Sequence, residues 1–327
     1  MEVRRGGPGP RGPRAAALGG GGLNPYLFIV GCARSGTTLL GRMVDAHHQI
    51  GVAPSIHWIA GYFRRRDVRR PDDPVTAELA LGLADDRRLA RFGISPDEVQ
   101  ALVPDGERVA YRRFLAAFLE LYARKRDKPR VGNKTAPFVR RIRALHDAWP
   151  EARFVHLIRD GRDVYLSALG WPSAERSLGR YPTWREDPAS TAAFWWERKV
   201  RAGREGGRAL QPRLYREVRY EALVSEPARE CVALCGFLGL PFDEAMVRLD
   251  APRTSGDADL DQAHPWLPIT PGLRDWRTQM PGEEVERFEA VAGDLLEELG
   301  YRRAFPEPGR KVQRQAARVR ELLSSKP

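Results

Sequence analysis

The octet Gly31-Cys32-Ala33-Arg34-Ser35-Gly36-Thr37-Thr38 lies between a short run of β-formers, Tyr26 to Val30, and a stretch with apolar residues at Leu39, Leu40, Met43 and Val44. The run reads as a buried strand ending at Gly31, and the stretch as a helix over Thr37 to Ala46. Strand, glycine loop and helix in that order point backbone N–H groups at a helix N-terminus, where an anion is held. The spacing G-x-x-x-x-G-T-T departs from the nucleoside-triphosphate loop G-x-x-x-x-G-K-[ST] at one decisive position. Thr37 stands where the lysine would be, and the cation has moved to Arg34 inside the loop. Without that lysine the clamp on β and γ phosphates is missing. Hydroxyls and one arginine suit a shorter anion, such as a 5′-phosphate bearing one more group. A glycine-rich turn without a ligand shares the spacing, so the loop needs a second motif to become a site.

Further strands alternate with helices. Ala152 to Ile158 and Leu214 to Tyr220 read as strands. Val139 to Trp149, Ala189 to Arg204, Glu226 to Leu238 and Glu283 to Leu299 read as helices, the last ended by Gly300. Val75 to Phe92 and Arg108 to Lys125 show helical periodicity too, so residues 59–128 are expected to be a helical insertion. The fold class is α/β: a P-loop-like parallel sheet flanked by helices. In such sheets ligands sit at the carboxyl ends of the strands, where both the Gly31 loop and Arg159 fall.

The second motif is Phe154-Val-His-Leu-Ile-Arg159-Asp-Gly-Arg-Asp163-Val-Tyr-Leu-Ser167. An arginine leaving a strand and a serine in the following helix can converge on a second anion. A solvated cluster of Arg159, Asp160, Arg162 and Asp163 is the plainer alternative. Taken together, strand–G-x-x-R-S-G-T-T-L-L–helix and strand–L-I-R-D-G-R-D-V-x-x-S–helix resemble the paired signature of sulfotransferases that use 3′-phosphoadenylyl sulfate (PAPS), nearest to their bacterial and tyrosylprotein-type branch. Gly132-Asn-Lys134-Thr135, Val218-Arg-Tyr220-Glu221-Ala-Leu-Val224, Phe237-Leu-Gly-Leu-Pro241-Phe242 and Leu299-Gly-Tyr301 are similar as well, so the resemblance spans about 26–301. It implies that Arg34, Ser35, Gly36, Thr37 and Thr38 hold the 5′-phosphosulfate of PAPS, that Arg159 and Ser167 hold its 3′-phosphate, and that Tyr220 lies near the nucleotide. It also implies that Lys134 reaches the transferring group, with Arg34 stabilising the leaving phosphate. No metal is required. The implied reaction is sulfuryl transfer to a hydroxyl or amine, releasing adenosine 3′,5′-bisphosphate.

The resemblance fails at the general base. A glutamate of the P-P-E-x-H type is replaced by Ser55 in Pro54-Ser55-Ile56-His57-Trp58, and the histidine of K-T-H by Ala136 in Lys134-Thr135-Ala136. His57 is the nearest replacement, since neutral imidazole is a base near pH 7; packing beside Trp58 or binding substrate is the alternative. Asp45 and His48 are weaker candidates. The acceptor pocket is expected to draw on Trp58, Tyr62, Phe63 and the loops near 172–188 and 251–272. The acceptor itself (sugar, lipid, peptide or small metabolite) is open. Two rival readings stand: a P-loop kinase using ATP and magnesium, and a non-catalytic PAPS- or nucleotide-binding protein without a working base.

The net charge of +11 sits largely in the tails: +3 over residues 1–22 and +4 over 306–327, leaving +4 for the body. That argues against a nucleic-acid-binding surface. Gly, Pro and Arg fill 15 of the first 22 positions, which makes 1–22 a disordered tail rather than a signal peptide. Residues 23–305 are expected to be one domain and 306–327 a basic tail, its segment 310–323 a solvated helix able to touch anionic lipid or another subunit. No apolar run approaches the about 20 residues of a membrane span, and a cytoplasmic protein is expected. Cys231 and Cys235 read as core thiols, the Phe194-Trp195-Trp196 cluster as core, and His47-His48, adjacent and unable to share one helix face, as no metal pair.

Overall fold

The computed structural model describes residues 27–249 and 272–324; the expected tail 1–22, Tyr26 and the loop segment 251–271 lie outside the described residues. Seven strands run β1 (Leu27–Gly31), β2 (Ile50–Ala53), β3 (Pro74–Thr76), β4 (Arg108–Ala110), β5 (Arg130–Lys134), β6 (Arg153–Ile158) and β7 (Tyr215–Arg219). The helices are α1 (Thr37–Ala46), α2 (His57–Arg64), α3 (Ala77–Ala84), α4 (Pro96–Gln100), α5 (Tyr111–Arg124), α6 (Ile142–Ala148), α7 (Gly161–Leu169) and α8 (Ala174–Ser177). They continue as α9 (Pro188–Arg208), α10 (Tyr220–Ser225), α11 (Pro227–Leu238), α12 (Trp276–Gln279), α13 (Gly282–Glu298) and α14 (Arg310–Ser324).

Five strands form one sheet in the order β2-β5-β1-β6-β7, every pairing parallel. A parallel sheet must be covered on both faces, and β1 shows how. Phe28 and Val30 enter one cluster with Trp149, Val139 and α5. Leu27 and Ile29 enter another with Leu40, Met43 and the α11 residues Leu234 and Leu238. A third cluster packs α7, α9, α13 and α14 beyond the strand ends around Cys32 and Ile158. Because all five strands point the same way, Gly31, Ala53, Lys134, Ile158 and Arg219 end along one edge of the sheet.

The α/β class, the strand and helix around the glycine loop, and the strands and helices on either side of Arg159 match the reading above. Two sheet strands were not anticipated. β5 has a single large apolar residue, Val131, and its Asn133 and Lys134 are buried by their neighbours rather than by hydrophobicity. β2 is a four-residue apolar run with no alternation to announce it. The insertion is not purely helical, either. The segments expected as helices at Val75 and Arg108 open as strands, β3 and β4, paired antiparallel with Val75 opposite Val109. The first of those helices also breaks at Asp86, whose carboxylate takes the Arg88 N–H and restarts the chain as a 3₁₀ turn over Arg87–Phe92.

α14 corrects the expectation of a solvated terminal helix. Ala316, Val319 and Leu323 are buried in the third cluster. Gln315 donates to Asp187 at 2.7 Å and Arg320 pairs with Glu197 at 2.9 Å. Cys231 and Cys235 are buried free thiols and Phe194, Trp195 and Trp196 are core, as read from sequence.

His156 on β6 is fully buried against α9, its Nδ1 2.8 Å from the Tyr215 hydroxyl. Burial, with Arg204 and Arg219 nearby, pushes its pKa down to about 3. The folded value lies below the ordinary value near 6.5, so the unfolded chain binds the proton first. The stability this neutral imidazole permits is complete above about pH 6.5 and lost as pH falls toward 3. Between pH 7 and pH 5 the expected loss is about 2 kcal/mol. Urea denaturation at both pH values should show a smaller loss for His156→Phe by that amount; equal losses would remove His156 as the cause.

Candidate active site

The glycine loop turns on two left-handed residues. Arg34 has φ 71° and Gly36 φ 94°, and a Cβ on Gly36 would lie 2.5 Å from the Tyr220 ring. Only glycine serves at that position. Gly36 is the N-cap of α1, with no capping side chain and no acidic residue in the first turn. The positive end of α1 is therefore answered by no cap and no acidic side chain of its own first turn. Thr37 opens the helix and is buried, while Thr38 is half-buried beside it.

Arg34 Nε donates to Ser167 Oγ at 3.1 Å, which joins the first motif to the second. Ser167 accepts there and keeps its own proton for another partner. The Arg34 guanidinium also lies 5.8 Å from the Trp171 ring centroid, one helical turn past Ser167. Arg159, 5% exposed, is stacked 4.2 Å over the Tyr220 ring and donates to the Arg34 carbonyl at 3.4 Å. Its own carbonyl accepts from Trp196 Nε1 at 3.1 Å. Thus the whole set Arg34, Ser35, Gly36, Thr37, Arg159, Ser167 and Tyr220 gathers on three adjacent strand ends, β1, β6 and β7.

Two buried donors in this set have no hydrogen-bond partner among the described residues: Ser35 Oγ and Arg159 Nε. Buried polar atoms are nearly always satisfied, and an unsatisfied one costs about 1–3 kcal/mol. Two such donors beside an uncapped helix end describe a cradle for an anion. One acid borders it. Asp163 accepts from the Trp276 N–H at 2.9 Å and stands 4.0 Å from Arg159. Burial raises its pKa to about 6 in spite of that arginine.

The run Arg159-Asp160-Gly161-Arg162-Asp163 is no solvated surface cluster, because its four charged residues are all at least nine-tenths buried. They divide: Arg159 turns to the loop, whereas Asp160 and Arg162 pair with each other inside the core at 2.7 Å.

The other two sheet strands supply the remaining candidates. Lys134 ends β5 next to β1, in register with Ile29, and is 8% exposed. Its stem passes close over α1, where a Cβ on Gly41 would meet Lys134 Cγ at 3.2 Å. His57 is exposed as the first residue of α2, just past the end of β2. Its Nδ1 lies 2.9 Å from Ser55 Oγ. A short polar chain continues from there, Ser55 Oγ to Thr135 Oγ1 at 3.5 Å and Thr135 Oγ1 to Asn133 Oδ1 at 2.7 Å. The loops after β2 and β5 are tied together by it. Asn133 and Thr135 were not singled out in sequence; only their neighbour Lys134 was.

Trp58, Tyr62 and Phe63, expected to line an acceptor pocket, are core side chains instead. Their i, i+4, i+5 spacing marks a buried face as readily as a pocket wall. Asp45 is also structural: it accepts from the Val52 N–H at 2.8 Å and pairs with Arg126 at 3.0 Å. His47 and His48 do come together, contrary to the helical-face argument, because His47 is an extended C-cap. Their rings stack at 4.8 Å, and with Asp243 they place three potential ligand atoms within 4.8 Å. Hydrogen bonds occupy those atoms. His47 Nδ1 accepts from the Gln49 N–H, leaving Nε2–H to donate to the Pro241 carbonyl at 2.9 Å, and His48 Nδ1 meets Asp243 at 2.8 Å.

The profile of the sulfotransferase family matches residues 25–244 of this chain. An omega-hydroxy-beta-dihydromenaquinone-9 sulfotransferase of Mycobacterium tuberculosis is 25% identical over 321 residues, covering 88% of this chain and 78% of that protein. The protein-tyrosine sulfotransferase A of Caenorhabditis elegans is 21% identical over 285 residues, covering 85% and 67%. Among solved structures, the sulfotransferase domain from the curacin biosynthetic pathway superposes with a TM-score of 0.62 at 19% identity, over 86% of this chain and 99% of that one, and so shares the fold.

Proposed function

The chain belongs to the sulfotransferase family, and from that premise we propose that it moves a sulfuryl group from PAPS to an acceptor hydroxyl or amine, releasing adenosine 3′,5′-bisphosphate. The observation that carries the donor's identity is the pair of buried donors without a partner among the described residues, Ser35 Oγ and Arg159 Nε, together with the Arg34–Ser167 bond that joins the two motifs. They suit a ligand with two separate anionic groups. In this reading the N–H groups of Gly36, Thr37 and Thr38, with Arg34 and Ser35, hold the 5′-phosphosulfate. Arg159 and Ser167 hold the 3′-phosphate, and Tyr220 packs against the nucleotide. Thr37 in place of a lysine leaves room at the loop for sulfate rather than a phosphate chain.

The acceptor oxygen attacks sulfur as the bond from sulfur to the bridging phosphate oxygen breaks. The departing phosphate keeps the electron pair, and its charge is met by the loop N–H groups, Arg34 and Lys134. The acceptor's proton passes to His57. Hydroxyl chemistry is supported by the relatives' names, which specify an omega-hydroxy menaquinone and protein tyrosine. A cytoplasmic setting belongs to the proposal; among the described residues no helix is long and apolar enough to cross a membrane.

Calorimetric titration with adenosine 3′,5′-bisphosphate in magnesium-free buffer tests the donor assignment. Micromolar binding is expected. Arg34→Ala and Arg159→Ala should each weaken it roughly 10- to 100-fold, the worth of one or two charged contacts. No binding, with ATP plus magnesium binding in its place, would sink the assignment.

A further inference from the structure

We propose that Asp163 is a further residue of the donor site: as a carboxylate it partners Arg159, and when an anionic group of the donor engages that arginine it takes up a proton and becomes a hydrogen-bond donor to the ligand. This rests on the donor reading above and gives a role there to a residue which that reading leaves out.

An acid beside an anion cradle opposes the ligand, so its placement calls for a reason. Asp163 lies in the first turn of α7 and is 9% exposed. Its Oδ1 accepts from the Trp276 N–H at 2.9 Å, which fixes the carboxylate to α12. Its Oδ2 stands 4.0 Å from Arg159 Nη2. Arg159 is held from its other side, where Nη1 donates to the Arg34 carbonyl at 3.4 Å. Nε and Nη2 share one edge of a guanidinium, the edge that takes an oxyanion side-on through two parallel N–H bonds. Of that edge, Nε is buried without a partner among the described residues, and Nη2 meets Oδ2 beyond hydrogen-bond length. An oxyanion seated on Arg159 therefore comes against Oδ2 as well.

Two anionic oxygens that close do not both stay charged in a buried site; one of them takes a proton. The charges around Asp163 decide which. Burial raises its pKa most, Asp160 and Glu221 of α10 raise it further, and Arg159 and the Trp276 N–H lower it, leaving it at about 6. The neighbouring acids are already engaged. Asp160 is held by Arg162, and Glu221 accepts from the Asp160 N–H and the Tyr301 hydroxyl. Glu289 of α13 also pairs with Arg162, and Asp275 beside α12 pairs with Arg277. A phosphate on Arg159 shares the one cation that steadies the Asp163 charge and adds a like charge of its own, so the pKa moves further up. The proton comes from solvent and lands on Oδ2, because Oδ1 is accepting from Trp276. The neutral Oδ2–H then donates to the oxyanion that the carboxylate would have repelled.

The test is calorimetric titration of the full chain with adenosine 3′,5′-bisphosphate at pH 7, in two buffers of different ionisation heat, which together count the protons taken up. The comparison is with Asp163→Asn, which keeps an oxygen for the Trp276 N–H and cannot ionise. The difference between the two proteins removes the titration of the ligand's own phosphates. The native chain should take up roughly half a proton more than the variant, as for a neighbouring charge that moves a carboxyl by one to two pH units. Asp163→Asn should bind the bisphosphate about tenfold more tightly than the native chain at pH 8 and within about threefold of it at pH 5.5, where the native carboxyl is itself neutral. A merely structural aspartate would weaken binding at both pH values when replaced. Asp163→Ser should show the same pattern and serves if the asparagine variant does not fold. Equal proton uptake in the two proteins, or a variant that binds no more tightly than the native chain at pH 8, overturns the proposal and leaves the donor reading standing. If the bisphosphate does not bind, the donor reading fails on its own, and inorganic sulfate, which exchanges no proton near neutrality, tests Asp163 alone. Sulfate affinity should fall from pH 5.5 to pH 8 more steeply in the native chain than in Asp163→Asn; parallel profiles, or no sulfate binding, overturn the proposal.

Discussion

Arg162→Met is expected to cost about 3–5 kcal/mol of folding stability, the loss seen when one member of a buried ionic group is removed. Arg162 is fully buried. Its Nε and Nη2 donate to the two carboxylate oxygens of Asp160 at 3.0 and 2.7 Å. Nη1 donates to Glu289 Oε1 at 2.5 Å and to the Arg302 carbonyl at 3.0 Å. The guanidinium lies 3.5 Å over the Trp276 ring. Methionine fills much of the volume and none of the charge, so Asp160 and Glu289 are left ionised in the core. Glu289 keeps two backbone partners, Ala304 and Phe305 at 3.0 and 2.7 Å; these soften the loss without replacing the cation. Native domains hold only about 5–15 kcal/mol in total, so the urea midpoint should fall by a large fraction of its value. Adding Glu289→Gln to Arg162→Met should recover part of the loss, because the uncompensated charge is what costs. A measured loss below about 1 kcal/mol would show that the group relaxes to water and does not fasten α7 to α13.

The division of labour inside Arg159-Asp160-Gly161-Arg162-Asp163 marks how far the sequence was legible. That a strand ends and a helix begins there was readable from Phe154, Val155, Leu157 and Ile158 and from the polar break. Which arginine faces a ligand and which faces the core was not. Both are arginines flanked by aspartates, and the answer depends on Glu289 and Trp276, more than a hundred residues away. Separation in sequence also hid β5, whose polar Asn133 is satisfied by hydrogen bonds to the Ala53 and Pro54 carbonyls, 80 and 79 residues away. α14 is a different case. Its apolar residues recur as Ala316, Val319 and Leu323, a helical stripe available in the sequence but masked by the helix's five basic residues. The glycine loop was the most legible part, because backbone geometry there leaves glycine no substitute at Gly36. The acceptor side was the least: Trp58, Tyr62 and Phe63, expected to wall it, are core side chains.

His57→Ala is expected to lower kcat by about 10²- to 10⁴-fold, the usual contribution of a positioned general base, with bisphosphate affinity unchanged. The geometry supports a base even though Ser55 and Ala136 displace the familiar ones. The Asn133 amide donates to the Ala53 and Pro54 carbonyls, at 3.3 and 2.9 Å, so its Oδ1 is the atom that accepts from Thr135. Thr135 Oγ1, having donated, accepts from the Ile56 N–H at 3.0 Å and from the Ser55 hydroxyl at 3.5 Å. Ser55 Oγ then has only an acceptor role left toward His57, which places the imidazole proton on Nδ1 and makes Nε2 the basic nitrogen. Ser55 does not replace a glutamate as base here; it sets the tautomer of the histidine two residues on. Ser55→Ala should therefore lower kcat less than His57→Ala, and Asn133→Asp should act through the same chain. In the double variant Ser55→Ala/His57→Ala the serine effect should vanish, since it works through the imidazole. Additive losses in that double variant would mean that Ser55 meets the acceptor itself. An unchanged kcat in His57→Ala would move the proton's destination to the acceptor's own chemistry, as an amine acceptor allows.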